Sequence, residues 1–131
     1  MRVITAVNLS ITTQCNMKCP DCCAGITQMP KHNRRFYDWK YMETAAFIFK
    51  GIHNINITGG EPSIHPEFER WSPKLKSLFQ CQVLSIWTNA TMARKKKEAF
   101  RNYDVIHISH YTADAYEGCP DNTDDIAFIR D

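Results

Sequence analysis

Val3-Ile4-Thr5-Ala6-Val7-Asn8-Leu9-Ser10-Ile11-Thr12 runs through Thr13-Gln14 into Cys15-Asn16-Met17-Lys18-Cys19-Pro20-Asp21-Cys22, so a β-branched apolar segment ends directly in a C-x3-C-x2-C run. Residues 3–12 have the composition of a strand. From the cysteines to about Tyr37 the chain is rich in Gly, Pro, Asn and Lys and reads as loop with short helical turns. A strand that delivers thiols at its C-terminal end is the unit from which the rest of the fold is read.

The strand-then-helix unit recurs. Asp38 caps a helix that begins Trp39-Lys40-Tyr41-Met42-Glu43, continues through Ala45-Ala46-Phe47-Ile48-Phe49 and stops at Gly51. Residues 52–58 form a second strand that leads into Gly59-Gly60-Glu61-Pro62. Pro66 suits the first turn of a second helix through Phe68, Trp71, Leu75 and Leu78, with Pro73 expected to kink it or push its start later. Residues 83–87 form a third strand, 93–101 a third helix and 105–109 a fourth strand, and Asn122 or Thr123 caps a last short helix through Ile129. Such alternation implies parallel pairing through right-handed crossovers. The expected fold is α/β: a partial, open (β/α) barrel with a parallel sheet of about four strands, in one domain covering residues 1–131. Every motif then lies at the C-terminal end of a strand, where α/β barrels assemble their sites.

Three thiolates can hold three corners of a cubane iron-sulfur cluster, whereas full ligation by protein usually takes four. One iron then stays open to a small molecule, by the logic that leaves an open position on a catalytic zinc. The spacing lets a tight loop fold its thiolates around one object, with Pro20 stiffening the turn and Asn16 able to bond nearby backbone. A structural zinc on the same thiolates with His32, or a chance grouping, are the competing readings.

The cysteine run, together with Thr58-Gly59-Gly60-Glu61-Pro62 and more weakly Trp87-Thr88-Asn89-Ala90 and Ile108-Ser109, resembles the radical S-adenosylmethionine (radical SAM) enzymes over most of the chain. The resemblance implies a [4Fe-4S] cluster on Cys15, Cys19 and Cys22, with the amino and carboxylate groups of S-adenosyl-L-methionine on the fourth iron. Reductive cleavage then gives methionine and a 5′-deoxyadenosyl radical that abstracts hydrogen from a peptide, protein or nucleotide. It further implies that Gly59, Gly60 and Glu61 bind the methionine amino group, the glycines through close backbone approach and Glu61 as an anionic acceptor. Thr88, Asn89 and Ser109 are implied to reach the ribose and the methionine carboxylate; turn chemistry also explains Asn89. An external one-electron donor, flavodoxin- or ferredoxin-like, is implied as well.

Two departures from the family stand out. Asp21 occupies the place of an aromatic residue that usually borders the adenine. The family normally has about six strand-helix units, so the missing wall is expected from a homodimer or a partner protein covering the open barrel edge. His110 and Tyr111 are the catalytic candidates near the fourth strand's end, with His65 and His107 as further histidines of interest; hydrogen-bonded packing is the plainer reading of each histidine. Cys23 is expected to turn away from the cluster, and Cys81 and Cys119 to be structural.

With 44% hydrophobic and 23% charged residues in 131, the chain has the composition of a globular protein rather than a disordered one. A net charge of +2 is too mild to argue for nucleic acid or an anionic membrane surface. Arg94-Lys95-Lys96-Lys97 reads as a solvated helix face, or otherwise as a contact for phosphates or an acidic partner. The residues from Met1 onward lack the apolar stretch and cleavage site of a signal peptide, and no segment is long enough to span a bilayer. A reducing, cytoplasmic setting is therefore expected, in which six cysteines argue for metal rather than a disulfide framework. A non-catalytic iron-sulfur or zinc-binding interaction module on the same fold is the alternative function.

Overall fold

Alternation of inward and outward residues along four short segments sets the architecture of the computed structural model, which describes residues 3–130; Met1, Arg2 and Asp131 lie outside the described residues. Strands β1 (Ala6–Ser10), β2 (Asn54–Thr58), β3 (Val83–Thr88) and β4 (Val105–Ile108) pair in parallel in the order β1-β2-β3-β4, leaving an open sheet rather than a closed barrel. Helices α1 (Trp39–Phe49), α2 (Phe68–Phe79) and α3 (Lys97–Phe100) lie in the crossovers, and α4 (Thr123–Arg130) follows β4. Leu9, Ile55, Ile57, Leu84 and Ile86 project from one face of the sheet into a core shared with Met42, Phe68, Trp71, Leu75, Phe79 and Phe100. Period-two alternation turns Asn8, Asn54, Asn56, Ser85, Trp87 and His107 to the opposite face. No helix among the described residues is long and apolar enough to cross a membrane.

The helix α1 has the expected ends: Asp38 Oδ1 accepts the Tyr41 amide at 2.9 Å, and Gly51, at φ 82°, carries the chain out of the helix with its N–H on Phe79 O. Three expectations need correction. The first strand is shorter than residues 3–12: Val3 and Ile4 are exposed, and Thr12, past the strand's end, also bridges Phe36 in antiparallel sense. Pro73 lies inside α2 rather than limiting it, and Pro66 precedes the helix; Pro73 and Glu69, whose carbonyl loses its partner to the proline, are both exposed, while Phe68, Trp71, Leu75 and Phe79 anchor the buried side. The third helix spans four residues instead of 93–101, since irregular turns occupy residues 91–95 after Ala90 adopts φ 61°.

Candidate active site

The loop after β2 and the cysteine loop after β1 meet backbone to backbone. Gly60 N–H donates to Thr12 O at 2.9 Å and Glu61 N–H to Gln14 O at 2.9 Å, which extends the parallel pairing past the strand ends. A Cβ on Gly60 would fall 2.1 Å from Gln14 O and 3.0 Å from Cys15 Cβ, and one on Gly59 would fall 2.5 Å from Thr12 O. The two glycines are thus dictated by the approach of the loop that carries the first cysteine.

Glu61 does not face open solvent as a free acceptor. Its side chain is 1% exposed, and its carboxylate accepts from the Ser63 amide (3.0 Å), the Ser63 hydroxyl (2.5 Å), the Thr88 hydroxyl (2.7 Å) and the Asn89 amide (2.7 Å). Burial pushes its carboxyl above the usual range, and the donors from Ser63, Asn89 and Thr88 pull it back. The carboxylate therefore clamps the end of β2 to the end of β3, and any ligand contact from this turn falls to its backbone.

A second polar network ties the remaining loops together. Asn89 Nδ2 donates to Asn16 Oδ1 (2.9 Å), Asn16 Nδ2 to Thr91 Oγ1 (2.7 Å), and Thr91 Oγ1 to Asn89 Oδ1 (2.7 Å), a closed ring between the cysteine loop and the turn after β3. Asn122 is fully buried: Nδ2 donates to both Asn89 O and Ser109 O at 2.7 Å, and Oδ1 accepts the Tyr111 amide at 2.8 Å. Asn122 precedes α4, as expected of a cap, but its side chain is spent on the strand ends instead of on the helix. Nearby, the Tyr116 hydroxyl accepts the Lys18 amide at 3.1 Å and fixes the segment before α4 against the cysteine loop. The parts of this network played by Asn122, Ser63, Thr91 and Tyr116 were not legible in the sequence; the only available signal was that Asn and Thr cluster just after apolar strands.

These connections frame a cavity of about 380 Å³ at the C-terminal mouth of the sheet, bordered by Cys15, Cys19, Cys22, Gly59, Gly60, Glu61, Thr88, Asn89 and Ser109. Every residue the sequence assigned to cluster or cofactor thus opens onto one space. Burial raises the Cys15 thiol above its ordinary range, partly offset by the Met17 amide 3.4 Å from its sulfur. The donor set fits an iron-sulfur cluster: soft sulfurs converge on one cavity. Among the described residues no three His, Cys, Asp or Glu side chains draw together tightly enough for one metal ion, whereas thiolates bound to different irons of a cubane stand farther apart. Cys23, expected to turn away, is exposed and also borders the cavity. Cys81 and Cys119 are buried.

The candidate catalytic pair separates. Tyr111 borders this cavity, and burial followed by the neighbouring Cys19 thiol pushes its phenol up to about 12. His110 instead pairs with Thr123 Oγ1 at 3.0 Å and borders a different cavity alongside α4. His65 is buried away from the site, and His107 stacks on Trp87. The basic run is partly pinned in place, Arg94 on Asp125 and Lys96 Nζ on His65 O.

A parallel open sheet whose strand-end loops gather three thiols, a glycine turn and hydroxyl and amide groups around one cavity has the donor set of a sulfur-ligated cofactor site on a half-barrel. The family described as the Radical SAM superfamily matches residues 9–118, and the chain belongs to it. Members of this superfamily use a [4Fe-4S] cluster and S-adenosylmethionine. Similar curated proteins include the mitochondrial GTP 3′,8-cyclase of Arabidopsis thaliana, 30% identical over 82% of this chain and 29% of that protein. A GTP 3′,8-cyclase of Listeria monocytogenes is 27% identical over 82% of this chain and 33% of its own length, and GTP 3′,8-cyclase 2 of Pseudomonas aeruginosa 30% identical over 72% and 29%. The chain thus spans about a third of the length of these relatives.

Proposed function

We propose that this chain binds a [4Fe-4S] cluster through Cys15, Cys19 and Cys22 and uses it to generate a 5′-deoxyadenosyl radical that takes a hydrogen atom from a nucleotide or nucleoside. The observation that carries the reading is the shared cavity, in which the cysteines face the glycine turn and the polar ends of β3 and β4. When bound, the cluster supplies one electron to the sulfonium of S-adenosylmethionine, whose carbon-sulfur bond breaks to give methionine and the radical. The residues of the chain do the positioning. Backbone groups at Gly59 and Gly60 stand ready for the methionine amino group, Thr88 and Asn89 are held rigid by the Glu61 carboxylate, and Ser109 offers a hydroxyl at the cavity edge.

A nucleotide is favoured over a peptide because the relatives named above are GTP cyclases. The electron comes from a small flavodoxin- or ferredoxin-like donor in a reducing, cytoplasm-like compartment. A second copy or partner covers the open edge of β4, where Val105 is 39% exposed. The test is isotope transfer: cluster-loaded protein, reductant, S-adenosylmethionine and ribose-deuterated GTP or guanosine are incubated anaerobically. Deuterium in the recovered 5′-deoxyadenosine is expected; label-free 5′-deoxyadenosine with both would remove guanine nucleotides and nucleosides from the reading.

A further inference from the structure

Trp87 and Asn8 border the same cavity as the cysteines, yet neither takes part in the networks that tie the loops together. Both belong to the face of the sheet turned away from the helices. Trp87 is 49% exposed, and the His107 imidazole, its register partner on β4, stacks on it with ring centres 4.4 Å apart and planes within 17°. An indole braced on one side and open on the other is a stacking surface.

One row further down, register aligns Asn8, Asn56 and Ser85 across three strands. Asn56 Nδ2 donates to Asn8 Oδ1 at 2.9 Å, and Ser85 Oγ to Asn54 Oδ1 at 3.1 Å, so the amides are held in fixed orientation. Among the described residues, Asn8 Nδ2, at the cavity, makes no hydrogen bond, and Asn56 Oδ1, outside the cavity lining, is buried without a partner. A barrel interior is ordinarily filled by Val, Ile and Leu; here that face presents amides and an open indole.

Charge narrows the ligand further. Among the described residues bordering the cavity are Asp21 and Glu61 but no Lys or Arg. A phosphate meets no cation there, whereas an uncharged planar ring with hydrogen-bonding edges meets a stacking partner and an amide.

We propose that Trp87, braced by His107 and sharing the cavity with Asn8, is a recognition surface for a nucleobase, and that any phosphates on the same ligand lie outside the cavity. Two sources bring such a ring. One is the adenine of S-adenosylmethionine, whose usual aromatic border is replaced by Asp21; the other is the base of a nucleoside substrate, and only this second source rests on the function proposed above.

The test is anaerobic titration calorimetry on the cluster-loaded protein with S-adenosylmethionine, guanosine and GTP, comparing the unaltered chain with Trp87→Leu, Trp87→Phe and Asn8→Ala. Trp87→Leu is expected to weaken at least one of these ligands about tenfold, Trp87→Phe to restore most of the loss, and guanosine to bind at least as well as GTP. A loss confined to S-adenosylmethionine assigns the surface to the cofactor's adenine, and one confined to guanosine and GTP assigns it to the substrate. Affinities unchanged for all three ligands in both Trp87→Leu and Asn8→Ala overturn the proposal, as does GTP binding far more tightly than guanosine. Iron content and melting temperature confirm that each variant is folded and loaded. Cofactor cleavage by the unaltered chain is scored separately, so loss of the base site and loss of the radical reading are distinguishable.

Discussion

Gly60 sets the tightest requirement in the site. Because a methyl group there would press against the backbone carbonyl of Gln14 at 2.1 Å, Gly60→Ala is expected to displace the cysteine loop and lower iron retained per chain after reconstitution. Gly51→Ala and Gly118→Ala, where nothing lies within 4 Å of the added carbon, should lose only about 1 kcal/mol of stability and keep their iron. Glu61 makes a complementary case. Glu61→Gln puts an amide nitrogen among groups that all donate, and urea unfolding should show a loss of about 2 kcal/mol or more; an unchanged midpoint would mean that the clamp between β2 and β3 is not energetic. The cysteines and glycines were legible in the sequence because their chemistry is local. The role of Glu61 was not, since Thr88 and Asn89, which saturate it, lie 27 and 28 residues away.

At the scale of elements, strands and helices followed hydrophobic period and capping residues wherever burial was strong, as in α1 with Asp38 and Gly51 at its ends. The reading failed where tertiary contacts outweighed local signals: Pro73 is carried within α2 by its buried aromatic side, and Asn122 serves the strand ends rather than its own helix. Asn122→Ala should therefore release β3, β4 and α4 from one another, leaving three backbone groups without their partner. Faster amide hydrogen exchange at Tyr111 and across α4 is the expected result, with exchange in α1 unaffected.

His65 couples the loop before α2 to Tyr37. The Glu67 amide donates to Nδ1 at 3.0 Å, so Nε2 carries the proton and donates to Tyr37 O at 2.8 Å, and burial lowers the pKa of the ring. The unfolded chain takes up a proton near pH 6.5 and the folded chain only at lower pH. Stability contributed by neutral His65 is thus present above that pH and falls as pH drops through it towards the depressed folded value. The urea midpoint is expected to decrease from pH 7.5 to pH 5.5 by more in the unaltered chain than in His65→Gln; equal decreases would contradict this assignment.

The whole molecule is a sheet with one face packed and the other presenting polar groups, and the loops at one end of its strands converge on a single cavity. Strand-helix alternation made the open parallel sheet readable from the sequence, and the motif positions made its active end readable. What the sequence did not disclose is how the loops brace one another, because that depends on Asn, Ser and Thr side chains whose partners come from three or four separate segments. The central claim is that Cys15, Cys19 and Cys22 hold a cluster able to cleave S-adenosylmethionine. It is tested most directly by anaerobic reconstitution followed by iron analysis and assay of 5′-deoxyadenosine after reduction, in the unaltered chain, Cys19→Ala and Cys23→Ala. The account predicts about four irons per chain and 5′-deoxyadenosine in the unaltered chain and in Cys23→Ala, with both lost in Cys19→Ala; a zinc-loaded protein that forms no 5′-deoxyadenosine, or a Cys19→Ala variant that keeps its iron, would contradict it.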